Sequence, residues 1–442
     1  MQKKFYIETY GCQMNVADSE VVSSIMAESG YGRTEKMGEA DLILVNTCSI
    51  RENAEQRVWG RLDVFKQIKN QNPEVKVGVI GCMAERLKEK LIEKEKSVDL
   101  VIGPDAYRAL PKLIETVDSG QKGINTLLSK EETYGDIAPV RADKNQISAF
   151  ISIMRGCNNM CSYCIVPYVR GRERSRDPQT IIKEATELSE QGFKEITLLG
   201  QNVDSYAWKK SDGTTMPFAE LLAQTARINP NLRIRFATSH PKDLSDEVLK
   251  VISEHNNICR HIHLPVQSGS TEILKKMNRG YTREWYMNRI DAIRKYLPEA
   301  EITTDIMTGF SDETEKDHEE TLSLMKYANY DFAYMFKYSE RPGTKAARRM
   351  EDNVPEETKK KRLSEIIELQ NRMSSENKQK AIGQTYTVLI ENTSKKSENE
   401  FSGRNSQNQV VVFPKNGEKT GEFVDVKIVD TTPATLIGRK VN

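Results

Sequence analysis

The sequence predicts an α/β protein in three parts: a doubly wound parallel sheet, a six-unit (β/α) partial barrel and a small separate β-barrel. Three observations predict it. Apolar runs that each end in a cysteine recur through the first 120 residues, strand and helix signals alternate from about 146 to 350, and β-type alternation returns in the tail. A length of 442 residues suits about three domains. Hydrophobic residues at 38%, charged residues at 29% and a mean hydropathy of −0.60 describe a globular chain. No run approaches the roughly 18 apolar residues of a membrane helix, and Glu8 interrupts the start where a signal core would stand. A cytoplasmic monomer without a membrane partner is the expectation.

In the N-terminal domain, 1–121, Phe5-Tyr6-Ile7 leads to Gly11-Cys12, Leu42–Val45 leads to Thr47-Cys48, and Val77–Ile80 leads to Gly81-Cys82. Helical stripes such as Val21, Val22, Ile25 and Met26 fill the intervals. Continuous apolar runs followed by helices mark a parallel sheet covered on both faces. Such sheets bind ligands beyond the carboxyl ends of their strands, so the three cysteines should converge on one crevice. A charged, Gly- and Pro-containing linker is expected over 122–145. The second domain, 146–378, has strand signals at Phe150–Met154, Glu195–Leu199, Arg233–Thr238, His261–Val266, Ile302–Met307 and Phe332–Lys337. Helices at Pro178–Gln191, Pro217–Ile228, Asp243–Glu254, Arg283–Lys295 and Glu313–Tyr327 separate them, which argues for a partial TIM barrel with its working residues at the carboxyl-end rim. A helix at about Glu356–Lys380 carries Leu363, Ile366, Ile367, Gln370 and Met373 as a stripe that packs on the barrel. In the tail, 379–442, Thr385–Glu391, Gln409–Phe413 and Glu422–Val429 alternate as strands.

Seven cysteines in a cytosolic chain form a metal-ligand inventory rather than a disulfide framework. The sharpest signal is Cys157-Asn-Asn-Met-Cys161-Ser-Tyr-Cys164. Three thiolates without a neighbouring fourth suit a 4Fe–4S cluster that keeps one iron open, whereas a purely electron-transferring cluster takes four. A zinc knuckle needs a fourth ligand, and no histidine follows within 70 residues. There is no P-loop and no dinucleotide-binding glycine motif. Cys259 reads as a small buried hydrophobe. The histidines at strand ends (His240, His261 and His263) receive no role, and Trp59, Trp208 and Trp285 read as core or groove-lining residues.

The Cys157–Cys164 loop, with Tyr163 before its last cysteine, resembles the signature of radical S-adenosylmethionine (SAM) enzymes. Cys12, Cys48 and Cys82 upstream and a β-barrel tail narrow the resemblance to the methylthiotransferases. Gly11-Cys12-Gln13-Met14-Asn15, Asn46-Thr47-Cys48, Leu199-Gly200-Gln201-Asn202, Thr238-Ser239-His240-Pro241 and Leu264–Ser270 carry it along nearly the whole chain. Gln13-Met14-Asn15 and Cys48–Asn53 are similar to the MiaB type. Two departures are Asp204, where Asn is usual, and Thr308-Gly-Phe-Ser-Asp-Glu-Thr314, where the family commonly has Val-Gly-Phe-Pro-Gly-Glu-Thr.

The resemblance implies a radical SAM barrel, a TRAM-type RNA-binding tail and two 4Fe–4S clusters, one on Cys157, Cys161 and Cys164 and one on Cys12, Cys48 and Cys82. It implies that SAM lies against Tyr163, Gln201, Ser239, Gln267 and Arg279. The implied reaction adds a methylthio group to carbon 2 of N6-isopentenyladenosine at tRNA position 37, with SAM as methyl donor and radical source. No catalytic residue beyond the cluster ligands is expected. That carbon–hydrogen bond is neither acidic nor next to a leaving group, so a carbon radical is the fitting reagent. The implied partners are the tRNA anticodon stem-loop and donors of electrons and of sulfur or clusters. Related branches act on threonylcarbamoyladenosine or on a ribosomal-protein aspartate, and a non-enzymatic RNA-binding iron–sulfur protein is the remaining alternative.

Net charge is +1, so any nucleic-acid surface must be local. From Arg141 to Arg176 seven basic residues stand against two acids, and Arg170, Arg172, Arg174 and Arg176 follow the cysteine loop directly. These four are the expected phosphate contacts. The target base must also leave its stack.

Overall fold

The computed structural model describes residues 2–49, 52–141 and 146–441. Ile50 and Arg51 of the Cys48–Asn53 motif, and Asp143 and Lys144 of the basic stretch, lie outside the described residues.

The N-terminal domain is a six-stranded parallel sheet. Its spatial order is Gly32–Arg33, Lys4–Tyr10, Leu42–Thr47, Lys76–Gly81, Leu100–Ile102, Gly123–Asn125. All pairings are parallel. Leu42, Leu44 and Ile80 pack into one face, with Val22 and Met26 from the helix Gln13–Glu28. Ile43, Val45, Val77 and Val79 pack into the other with Val58, Leu62 and Phe65. Burial on both faces explains why these strands read as unbroken apolar runs. Strand order reverses between Lys4–Tyr10 and Leu42–Thr47, and such a switch point opens a crevice above the strand ends.

The expected linker starts inside this sheet, because Gly123–Asn125 is its last strand. Farther on, Tyr134 stacks on Tyr107 with ring centroids 5.6 Å apart and donates to the Pro104 carbonyl. An aromatic residue amid charged ones carries no periodicity, so the sequence hid this packing.

Six parallel strands form the central partial barrel: Ser148–Ser152, Glu195–Leu199, Arg233–Ala237, His261–His263, Glu301–Thr308 and Phe332–Lys337. They make two three-stranded groups, joined by a parallel bridge between Ile234 and Ile258. The first strand ends at Ser152 instead of continuing to Met154. Met154–Arg155 turns away to pair antiparallel with Arg174–Ser175, which closes the base of the cysteine loop. The long helix Glu356–Gln379 buries Ile366, Gln370 and Met373 of the expected stripe.

The tail is a closed five-stranded barrel of Thr385–Thr393, Glu400–Arg404, Val410–Pro414, Leu436–Lys440 and Phe423–Thr431. Glu400–Arg404 and Leu436–Lys440 were not legible from sequence. Each contains a glycine at a point of close approach: a Cβ on Gly403 would stand 2.1 Å from the Leu389 carbonyl oxygen, and one on Gly438 2.2 Å from Val426. Glycine weakens a strand signal where packing demands it.

The small barrel caps the amino-terminal mouth of the central one. Arg233 donates to the carbonyls of Arg404 and Thr387 (2.7 and 3.1 Å), and Arg235 to those of Asn405 and Ser406 (2.8 and 3.3 Å). No helix among the described residues is long and apolar enough to cross a membrane.

Candidate functional site

Cys12 caps the helix Gln13–Glu28, Cys48 follows Leu42–Thr47, and Cys82 opens the helix Cys82–Leu87 behind Lys76–Gly81. Two buried amides tie these ends together. Asn15 accepts from the Cys12 backbone N–H (3.2 Å) and donates to Asn46 Oδ1 (3.0 Å) and to the Thr47 carbonyl (3.2 Å). Asn46 donates back to the Asn15 carbonyl at 2.9 Å. The glycines before Cys12 and Cys82 permit the approach: a Cβ on Gly11 would stand 2.8 Å from Cys48 Cβ, and one on Gly81 2.5 Å from Asn46 Oδ1.

The second triad lies on the loop between Met154–Arg155 and the helix Val166–Arg170. Gly156, at φ +80, donates to the Gln201 side chain, and Cys157 N–H donates to the Gly171 carbonyl at 3.1 Å. Ser162 bonds to the carbonyls of Met277 and Lys276, and its own carbonyl accepts from Ala346 N–H at 2.7 Å. Arg279 reaches Cys161 Sγ and the Tyr163 hydroxyl, both at 3.3 Å.

Cys12, Cys48, Cys164, Tyr163 and Gln267 line one cavity of about 1430 Å³ that continues through the barrel towards the tail domain. Gln201 stands at the loop base, while Ser239 and Arg279 are buried around it. Burial pushes the thiols of Cys82 and Cys164 up to about 12 and that of Cys157 up to about 11, with neighbouring thiols adding to the shift and Arg170 or Arg279 opposing it. Thiols held this way stay protonated at neutral pH unless a cation displaces the protons.

The donor sets fit open-iron clusters. Each consists of three thiols, and Cys259 stands at the barrel's far end, where its N–H pairs with Ile234 and it neighbours Arg235. Among the described residues no three His, Cys, Asp or Glu side chains converge as ligands of a single ion do. A cubane, which places each thiolate on a different iron, requires no such convergence.

The expectation that Arg170, Arg172, Arg174 and Arg176 face phosphates needs correction. Arg170 is buried, with Nη2 2.7 Å from Asp18 and Nε donating to Cys82 Sγ at 3.2 Å. Arg174 pairs with Asp105 and Arg176 with Glu184, both buried. Only Arg172 of the four is exposed. A charge run reads as a solvated face unless distant carboxylates meet it, and Asp18, Asp105 and Glu184 lie far away in sequence. Sequence reasoning missed this network, which Arg155 completes at 2.8 Å from Asp18. Asn15 and Asn46 were visible inside their motifs, but not their mutual bonding.

The strand-end histidines bond to neighbouring residues of the barrel, and His261 and His263 line the cavity. His240 accepts from Lys242 N–H at 3.4 Å, and His261 and His263 both bond to Thr303 Oγ1 at 3.0 Å. Burial pushes His240 down to about 2 and His261 to about 3, so both are neutral. The departure at 308–314 has a local reason: Asp312 holds φ +59 and bonds to Asn353 and Lys276. Asp tolerates this conformation better than most residues other than glycine.

Three family models match. They are the uncharacterized protein family UPF0004 over residues 4–103, the Radical SAM superfamily over 151–325 and the TRAM domain over 379–441. A tRNA-2-methylthio-N(6)-dimethylallyladenosine synthase of Amoebophilus asiaticus is 58% identical, over 99% of this chain and 92% of that protein. One of Bacteroides fragilis is 56% identical, over 99% and 96%. Among solved structures, the radical S-adenosylmethionine methyltransferase TsrM of Kitasatospora setae superposes with a TM-score of 0.60 at 14% identity, covering 78% of this chain and 77% of that one. That likeness is one of fold. With full-length identity above one half, a radical SAM core and cysteines at both expected strand-end and loop positions, the chain belongs to the tRNA-2-methylthio-N(6)-dimethylallyladenosine synthase family.

Proposed function

We propose that the protein transfers a methylthio group to carbon 2 of N6-dimethylallyl (isopentenyl) adenosine at position 37 of tRNA. The observation that carries this reading is the shared cavity: thiols of both triads and Tyr163 open onto it. When bound, two 4Fe–4S clusters and SAM supply the electron, the hydrogen-abstracting radical, the methyl group and the sulfur.

The chain's own residues hold and orient. Cys157, Cys161 and Cys164 are the ligands of the SAM-binding cluster, and Cys12, Cys48 and Cys82 those of the sulfur-bearing one. Arg279 donates a hydrogen bond to Cys161 of one triad and Arg170 to Cys82 of the other, which fixes those ligands and offsets thiolate charge. Tyr163 offers a face to adenine, while Gln201, Ser239, Gln267 and Arg279 meet the polar parts of SAM. The exposed Arg172 remains a candidate phosphate contact. A reductant and a sulfur source complete the cycle, and the protein acts as a cytoplasmic monomer.

The test is anaerobic: reconstituted protein, SAM, a reductant and tRNA from a strain lacking this gene, followed by mass spectrometry of the nucleosides. A gain of methylthio on isopentenyladenosine is expected. Cys12→Ala should abolish that product while SAM cleavage to 5′-deoxyadenosine continues. Product on another nucleoside, or none with both clusters intact, would overturn the assignment.

A further inference from the structure

Exposed large apolar side chains are scattered over the surface, except along one strand. Phe332, Tyr334 and Phe336 alternate along Phe332–Lys337 and are 45%, 48% and 48% exposed. That strand is the outer edge of its three-stranded group, and Ser148–Ser152 is the outer edge of the other, so the barrel ring is open between them. All three rings line the cavity that also holds Cys12, Cys48 and Cys164. From Phe332 to Phe336 the strand spans about 13 Å.

A half-exposed aromatic row inside a cavity is costly in water and marks a binding surface. We infer that this strip is a stacking platform for unpaired anticodon-loop bases, including the base that carries the apolar isopentenyl group. The inference rests on the tRNA reading above. The cavity's ends argue for RNA as the occupant. At one end Arg404 (paired with Glu391), Gln407 and Asn408 of the tail barrel line it, and at the other Arg57 stands beside the Cys12 and Cys48 loops; the acids Glu301, Asp305 and Asp331 line it as well. Lys337, which pairs with Glu356, and Arg341 line it along the strip. Aromatic faces flanked by cations recognise single-stranded RNA, whose splayed bases stack while its backbone meets charge. The surface also takes the place of Arg170, Arg174 and Arg176, which ion pairs hold in the interior.

The experiment measures binding of an isopentenylated anticodon stem-loop, with 2-aminopurine beside the target base, to the reconstituted protein. Phe332→Ala and Tyr334→Ala should each weaken binding about tenfold and relieve the 2-aminopurine quenching, with little change in the salt dependence, since no phosphate contact is lost. Tyr334→Leu keeps the apolar bulk and should still relieve the quenching. It serves if an alanine variant fails to match the wild type in melting temperature and iron content. Leu127→Ala removes an apolar residue that is 78% exposed elsewhere and should bind as wild type. Unchanged affinity and quenching in the folded strip variants would overturn the platform, as would a wild-type protein that binds no stem-loop. Wild-type binding without methylthio product would instead sink the reaction while leaving the platform standing.

Discussion

At the scale of single residues, the site is built by side chains whose partners are remote in sequence. Asp18 meets Arg155 and Arg170 across two domains, and the Tyr107 hydroxyl donates to the same carboxylate at 3.2 Å. Burial pulls the Asp18 carboxyl upward, and the two guanidinium groups outweigh it and hold the carboxyl below its ordinary value. Asp204 shows the opposite balance. Burial pushes its carboxyl up to about 7, with Asp243 adding to the shift and Ser239 opposing it. An acid whose folded pKa is raised binds its proton more tightly in the folded state. Its contribution to stability is therefore full below about pH 4 and is lost as pH rises through about 7. Asp204→Asn removes that loss. In thermal melts of the metal-free protein, the variant's advantage should grow from pH 5 to 7.5 and then level off. A constant gap would show that Asp204 does not titrate in this window.

Among elements, the cysteine loop depends on backbone close approach. Gly156 has φ +80, and a Cβ there would stand 2.0 Å from the Arg172 carbonyl oxygen. Gly156→Ala should strain the loop by roughly 1–3 kcal/mol. Iron content should fall by the share of one cluster while the Cys12, Cys48 and Cys82 site still fills. Full iron occupancy in the variant would mean that the loop can yield at this point. Helix starts were readable within a few residues where a cap stands. Thr314 and Asp317 form a capping box that begins Glu315–Ala328 two residues after the expected start, and Ser245 accepts from Val248 N–H to begin Asp246–Glu254. The strands Glu400–Arg404 and Leu436–Lys440 were unreadable because their glycines answer to neighbours that lie elsewhere in the chain.

For the whole molecule, the tail barrel is locked to the central barrel through Arg233, Arg235 and Glu195. Arg235 Nε bonds to Glu195 at 2.8 Å, and all three side chains are buried. Arg235→Ala leaves Glu195 with Arg233 at 4.0 Å, takes the Arg235 donor from the Ser406 carbonyl and leaves the Asn405 carbonyl with the Asn408 N–H. A loss of about 3–5 kcal/mol is expected at this interface, since one partner of a buried pair is removed. Hydrogen exchange should quicken across 400–410 while the N-terminal sheet keeps its protection. Unchanged protection there would mean that apolar packing alone holds the tail barrel in place.

Local chemistry determined much of this protein by itself. Apolar runs set the parallel strands, the three-cysteine loop named its chemistry, and the order of the parts announced three domains, because each of these signals is carried by neighbouring residues. The tertiary structure decided the rest. It turned three of four arginines from a phosphate-facing run into interior ion pairs, joined two cysteine triads at one cavity, and left an aromatic strand half open beside them. Whether a charge is solvated or paired, and whether an apolar strand is covered, depends on what the fold brings against it from elsewhere in the chain.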